Sequence, residues 1–334
     1  MGLYFVSDYM PMTHESRKLA LDNKQVFISC IVPVHNEEEG IALFVQALEE
    51  KIATLTSRYE ILLIDDGSRD KSALIIENTL LNGHIKFIRF SRNFGKENAL
   101  TAGLEYCQGE VAVLIDADFQ HPFEVIDQFL ESWAKGYDMA YGVRRDRQDE
   151  SPGKRWFANQ FYKLMGHLSE VRIPPDAGDF RLLDRKVINA LRECKEYSRF
   201  MKGLYAWVGF SSVAIPYTVK ARQTGKSSWS FFKLFDLALT GIISFSDAPL
   251  RVWSLVGMTI SSIAFLYALW IVFKTLFFGI DVKGYATLVV AIMFFGGIQL
   301  ISIGILGEYL ARIFREVKKR PPYIISKTSG ISKE

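Results

Sequence analysis

Val111-Ala-Val-Leu-Ile-Asp-Ala-Asp-Phe-Gln-His-Pro122 decides how the chain is read. Its five leading residues are apolar without a break, the pattern of a strand buried on both faces in a parallel sheet. The strand is expected to end on Asp116-Ala-Asp118. Residues two apart on extended chain point the same way, which places two carboxylates side by side where strand becomes loop. Ligands of open α/β sheets collect at the carboxyl ends of strands. Two hard oxygen donors there suit Mg²⁺ or Mn²⁺, with a substrate phosphate completing the shell, and Gln120 offers a third oxygen. A polar loop that caps the next helix accounts for the same residues, so the acidic pair alone does not decide.

The surrounding chain repeats the pattern. Val26–Val34, Tyr59–Ile64, Ile85–Phe90 and Asp138–Val143 read as further strands, separated by helical stretches that run to about Ser57, over Lys71–Leu81 and over Glu97–Cys107. Pro122 opens the next helix, as proline can in a first turn. Strand and helix alternating at short intervals predict a doubly wound, mostly parallel α/β sheet. The strands end on polar loops: His35-Asn-Glu-Glu-Glu39, Asp65-Asp-Gly-Ser68, Ser91-Arg-Asn-Phe-Gly-Lys96 and Arg144-Arg145.

A chain of 334 residues with formal net charge +3 is long enough for one such domain and more, and too weakly basic to argue for nucleic acid. Cys30, Cys107 and Cys194 are odd in number and far apart, which excludes a disulfide frame and agrees with a reducing compartment. Residues 1–25 read as a flexible leader without an apolar signal sequence.

The pattern changes after Asp146. Residues 154–168 place Trp156, Phe157, Phe161, Leu164 and Leu168 at helical spacing beside Lys154, Arg155 and Lys163, an amphipathic helix suited to a membrane surface or to the domain's own flank. Ser211–Lys220 predicts one or two strands, and 227–247 is a second amphipathic stretch. Val252–Phe278 and Tyr285–Leu306 are each long enough to cross a hydrocarbon core of ~30 Å at ~1.5 Å per residue. Arg251 precedes the pair, and Arg312, Arg315, Lys318, Lys319 and Arg320 follow it in a basic tail over 312–334. That bias predicts both termini and the large domain on the cytoplasmic side of an inner membrane.

Taken in order, Ile31-Val-Pro-Val-His-Asn-Glu37, Asp65-Asp-Gly-Ser68, Arg92-Asn-Phe-Gly-Lys96, Asp116-Ala-Asp-Phe-Gln-His-Pro122, Asp176-Ala-Gly-Asp-Phe-Arg181, Leu306-Gly-Glu-Tyr-Leu-Ala-Arg312 and Lys319-Arg-Pro-Pro-Tyr323 resemble the family-two glycosyltransferases that load a sugar onto a polyprenyl phosphate. Similar members are the bactoprenol glucosyltransferases, the aminoarabinose transferase of lipid A modification and the dolichol-phosphate mannose synthases. The resemblance spans roughly residues 27–325. It implies a GT-A catalytic domain (Rossmann-like, mostly parallel sheet) over 26–226, then amphipathic interface helices and a two-helix transmembrane hairpin over 248–311. It implies a nucleotide-sugar donor, usually a UDP-sugar, and inversion at the anomeric carbon.

Carried over position by position, Pro33, Val34, Asn36, Glu37 and Asp66 hold base and ribose. Lys96, Asp116 and Ala117 lie near the nucleotide, and Asp116, Asp118 and Gln120 bind Mg²⁺ or Mn²⁺. Asp179 and Asp118 are the catalytic acids, with Asp179 facing the reacting centre. Arg144, Arg222 and Lys226 contact phosphates of donor or acceptor. Relatives read Arg-x-x-Gly-x-Ser/Thr-Lys in the last region, whereas Arg222-Gln-Thr-Gly-Lys-Ser-Ser228 brings its lysine two places early, so the role of Lys226 is open. The resemblance further implies a homo-oligomer, with a tetramer as one form, and a downstream flippase and second transferase. A processive polysaccharide synthase would carry Gln-x-x-Arg-Trp, but Pro152 stands where the glutamine belongs before Arg155-Trp156. A non-catalytic scaffold is the rival from another class, and the intact acids speak against it.

Overall fold

The computed structural model describes residues 12–80, 82–145, 177–197, 199–218, 248–278 and 284–331. The apolar runs form strands β1 (Ile28–Val34), β2 (Tyr59–Asp65), β3 (Ile85–Phe90) and β4 (Val111–Leu114). Between them lie α1 (His14–Asp22) before the first strand, α2 (Ile41–Leu55), a short α3 (Ser72–Ile75) running into a π turn, and α4 (Lys96–Tyr106). The second half adds α5 (Val125–Ala134), β5 (Met139–Arg144), β6 (Ala177–Asp184), α6 (Arg185–Glu193), α7 (Met201–Trp207) and β7 (Ser212–Tyr217). The chain ends with α8 (Ala248–Phe278), α9 (Tyr285–Val317) and β8 (Ile325–Ser329).

The eight strands form one sheet in the order β7-β5-β6-β4-β1-β2-β3-β8. β1, β2, β3 and β4 are mutually parallel, β5 and β7 run with them, and β6 and β8 run against them. Alternation along each strand divides the side chains between two cores. Cys30, Val32, Ile61, Leu63, Val111 and Val113 pack against α2 and α5, where Phe44, Leu48, Phe129 and Trp133 are buried. Ile31, Leu62, Ile64, Ala112 and Leu114 pack on the other side against Leu100, Ile188, Leu191, Met201 and Leu204 of α4, α6 and α7. Helices on both faces explain why the strands are almost continuously apolar.

Three boundaries differ from expectation. Residues 1–25 are not loose throughout, because Thr13 caps α1 by accepting from the Ser16 N–H at 3.2 Å. Arg17 is buried and pairs with Asp138 (3.3 Å) and Asp184 (3.0 Å), lying over the Trp133 ring at 5.3 Å. A buried arginine shared by two acids is hard to see in a polar leader, since its partners are over a hundred residues away. Arg17→Ala leaves those acids short of a cation, so it is expected to cost about 3 kcal/mol. A urea midpoint that does not move would show that the clasp is idle.

The tail over 312–334 is not simply a basic extension either. α9 continues to Val317, beyond the expected end at Leu306, and β8 then pairs antiparallel with the edge of β3. The central strand, third, ends at Leu114, so Asp118 lies in a turn rather than on extended chain.

One stretch of α9, Phe294–Val317, is long and apolar enough to cross a membrane, and none of it is buried against the protein. Leu255, Phe265, Trp270 and Phe277 of α8 are exposed as well. Trp253 of α8 donates its indole N–H to Ser302 of α9 at 2.5 Å. The strand directions add a constraint. The carboxyl ends of the parallel strands coincide with the amino ends of β6 and β8. The chain therefore leaves β7 towards α8, and returns from α9 into β8, at that same end of the sheet and at its two opposite edges. The amphipathic stretches at 154–168 and 227–247 lie outside the described residues.

Candidate active site

Four strand-end loops build the floor of the site. Asn36 takes a left-handed φ of +56°, donates its N–H to Ser68 Oγ (2.9 Å) and accepts the Arg69 N–H on Oδ1 (2.9 Å). The Glu37 N–H reaches Ser72 Oγ at 2.8 Å, and Glu38 exchanges bonds with Asp70 and Lys71. The loops after β1 and β2 are thus laced together. The loop after β3 is fixed to them by Asp66, whose two oxygens accept the N–H groups of Phe94 (2.6 Å) and Gly95 (2.9 Å). Burial raises the pKa of Asp66 in spite of those bonds. Next to these loops lies a cavity of about 430 Å³, lined among others by Arg69, Arg89, Arg92, Asn93 and Ser326.

Lys96, the first residue of α4, bridges the acids. Its Nζ lies 2.6 and 2.8 Å from the two oxygens of Asp116 and 3.0 Å from Asp179 Oδ2. Lys96 is 40% and Asp116 30% exposed, so this ion pair is open to a ligand. Burial works against the charges of Lys96 and Asp179. The charges of Asp116 and then Asp179 nevertheless hold the ammonium above its usual pKa, and Lys96, with Lys202 and Arg181 assisting, holds the Asp179 carboxyl well below the carboxylate range.

Asp118 accepts the Gln120 N–H at 3.1 Å in a turn where Phe119 adopts φ +59°. The turn, not strand alternation, presents the second acid. Arg144, at the end of β5, donates to Gln120 Oε1 at 3.5 Å. His121 is buried, stacked on Phe180 at 4.7 Å and edge-on to Tyr217, and both His121 and Tyr217 feel the charges of Asp116 and Asp118. Among the described residues no cluster of three His, Cys, Asp or Glu is ready to hold a metal. The set that is present, Asp116, Asp118 and the amide of Gln120, contains only oxygen donors, and Asp116 already faces a cation, the Lys96 ammonium. It fits a hard divalent ion that takes the rest of its shell from a diphosphate and water.

The sequence-selected residues therefore fall into four groups. Lys96, Asp116 and Asp179 meet directly, and Asp118, Gln120 and Arg144 border them. Asp66 is 3% exposed, and its two oxygens accept the Phe94 and Gly95 N–H groups. Val34 and Ala117 are buried, which leaves their backbone groups as the part able to meet a ligand, while Pro33 is half-buried beside them in β1. Arg222 and Lys226 lie outside the described residues.

Sequence reading missed the layer behind Asp179. Arg181 stacks over the Tyr205 ring at 3.6 Å and donates to Gly178 O at 2.6 Å, bracing the start of β6 beside Asp179. Glu97 Oε2 accepts the Met201 N–H at 3.2 Å and so joins α4 to α7. Burial, then the charge of Asp179, pushes the Glu97 carboxyl up to about 7. The sign follows from linkage. A carboxyl with a folded pKa above its unfolded value contributes stability that is complete below about 4.5 and is lost as pH rises through about 7. Glu97→Gln in EDTA is expected to flatten that decline, and parallel curves for variant and wild type would contradict it.

This is the sheet and the acid-rich strand-end site of a GT-A type sugar transferase. The Glycosyl transferase family 2 profile matches residues 29–192, and that of the GtrB C-terminal hairpin matches 248–313. A Synechocystis protein described as an uncharacterized glycosyltransferase is 45% identical, over 91% of this chain and 96% of its own. The prophage-derived bactoprenol glucosyl transferase of Shigella flexneri is 44% identical over 90% and 98%, and the Escherichia coli K12 homolog 42% over the same shares. The chain belongs to glycosyl transferase family 2, and it is a glycosyltransferase.

Proposed function

We propose that this enzyme moves a sugar from a nucleotide-sugar, a UDP-sugar, to a polyprenyl phosphate held in a bilayer, with inversion at the anomeric carbon. The observation that carries the reading is the coincidence of two features at one end of the sheet. Lys96 gathers Asp116 and Asp179 there, and both connections to the apolar α8–α9 pair depart from there. Residues 318–324, which join α9 to β8, span at most ~25 Å even when extended, so the site cannot stand far from the end of that helix. A water-soluble donor and a lipid acceptor require such a placement. α8 and α9 serve as two membrane spans, with the sheet on the cytoplasmic side where the basic residues at 312–320 lie.

The chemistry follows from charge. Breaking the anomeric bond leaves negative charge on a diphosphate. Asp116, Asp118 and Gln120 would hold Mg²⁺ or Mn²⁺, whose part is to neutralise that charge. Lys96 and Arg144 border the same place and add positive charge aimed at phosphate oxygens. The acceptor is a phosphate monoester with its second pKa near ~6, already a nucleophile at neutral pH. Asp179 then has little need to act as a strong base. Its buried Oδ1 has no hydrogen-bond partner among the described residues, which suits it to orient a bound hydroxyl or to take a proton.

The test is a panel of radiolabelled nucleotide-sugars with undecaprenyl phosphate and Mg²⁺, read as label in the lipid extract. UDP-glucose comes first, because the Shigella and Escherichia relatives are named for glucosyl transfer. Label entering lipid from one donor supports the reading; none from any donor overturns it and favours a scaffold.

A further inference from the structure

We infer that Tyr323–Ser326, the segment by which the chain returns from α9 to the sheet, is a positioning element for the donor side of the site, acting through the Ser91–Lys96 loop. This rests on the reading above that Lys96 serves the donor diphosphate.

The segment touches that loop at its root and at the helix that follows it. The Tyr323 ring stacks on Phe90, the last residue of β3, at 4.7 Å and 14°. Ile324 O accepts the N–H of Ser91, the first loop residue, at 2.9 Å. The Tyr323 hydroxyl bonds Glu105 near the far end of α4, the helix that Lys96 begins. Ser326 Oγ donates to Arg89 O at 3.1 Å and also lines the cavity beside Arg69, Arg89 and Arg92.

What lies between those anchors is the working part. Phe94 and Gly95 donate to Asp66, and Lys96 reaches Asp116 and Asp179. On its inner side the five-residue loop between β3 and α4 is also tied by Asn93 to His35 at 3.1 Å and by Asn98, which donates to Phe94 O at 2.7 Å. Its neighbour on the outer side is the returning segment, because β3 would be the sheet edge without β8. Two further contacts fasten the same return to the domain: Lys327 pairs with Glu77 at 2.8 Å, and Glu316 accepts the Tyr197 N–H at 2.9 Å. Those contacts lie away from the loop and serve as controls. The consequence is that the membrane-side hairpin and the donor-side lysine are held by one piece of chain. A displaced α9 end would be felt first by Lys96, and not by β5 and β7 at the opposite edge of the sheet.

The experiment uses the full chain in lipid nanodiscs, comparing wild type with Tyr323→Ala, Tyr323→Phe and the control Lys327→Ala. In Tyr323→Ala the KM for nucleotide-sugar and the Kd for UDP are expected to rise tenfold or more. The KM for polyprenyl phosphate should stay within twofold, and amide hydrogen exchange over residues 91–96 should quicken at least tenfold. Tyr323→Phe keeps the stack and should stay within threefold of wild type, as should Lys327→Ala. If Tyr323→Ala does not fold, Tyr323→Leu carries the same test with an expected threefold rise in donor KM. Unchanged exchange over 91–96, an unchanged UDP Kd, or equal changes in donor and acceptor KM would each overturn the inference. Wild type that transfers from no donor would overturn the proposed function instead, and the exchange measurement would still decide the structural part.

Discussion

Asp118→Asn is expected to leave the protein folded and to lower sugar transfer by about 10³-fold, equivalent to ~4 kcal/mol of lost transition-state stabilisation. The fold should tolerate it because the bond that side chain accepts is local, from the Gln120 N–H at 3.1 Å, and an asparagine oxygen accepts it equally well. What changes is charge. Asp116 is already shared with the Lys96 ammonium, so Asp118 is the carboxylate left to offer a divalent cation a full negative charge. Removing one preorganised partner of a developing charge costs on the order of 10²–10³ in comparable sites, and loss of an ion as well pushes the effect to the upper end. Lipid-extractable product, melting temperature and the Mg²⁺ dependence of turnover are the measurements. Activity within threefold of wild type at limiting Mg²⁺ would end the assignment of Asp118 to the metal.

Much of the sheet was legible because its cause is local. Runs such as Val111–Leu114 and Ile61–Ile64 are apolar on both faces, and only strands covered on both sides by helices need that. The site was legible in its acids for a related reason: polar residues that follow a buried strand have few structural duties, so Asp116, Asp118 and Lys96 stand out. What the sequence hid are the long-range partnerships. Arg17 looks like any charge in a polar leader until Asp138 and Asp184 are beside it. Ile325–Ser329 has too few apolar residues to announce a strand, and forms one because the β3 edge has unpaired backbone groups to offer.

The backbone path is what sequence reading could not supply. Asp66 was selected as an acid for the nucleotide, and the structure adds that its oxygens accept two N–H groups from the loop after β3. The Asp116–Asp118 pairing was argued from extended chain, but the strand stops at Leu114 and a turn with a left-handed Phe119 does the presenting. In each case the residue type was informative and the backbone path was not. Loops take their shape from partners distant in sequence.

Gly67→Ala is the substitution expected to do the most combined damage, and it touches no reacting atom. Gly67 has φ +63°, where an L side chain costs ~1–2 kcal/mol. A Cβ there would lie 2.3 Å from Arg92 C and 2.6 Å from Asn93 N, both backbone atoms of the loop after β3. Ordinary contact needs more than an ångström beyond that, so that loop must move. Overpacking of this kind costs ~1–3 kcal/mol, giving about 2–5 kcal/mol in all. The displaced loop carries the Phe94 and Gly95 donors to Asp66 and leads straight into Lys96. A misplacement of ~1 Å in a group that positions a phosphate lowers turnover by about 10²-fold. Stability and activity should therefore fall together, whereas Gly83→Ala, whose Cβ meets nothing within 4 Å, should change neither. Denaturant midpoints and donor-dependent transfer on the two variants decide the matter. A Gly67→Ala protein with wild-type midpoint and turnover would mean that the β2 and β3 loops do not hold one another as their contacts imply.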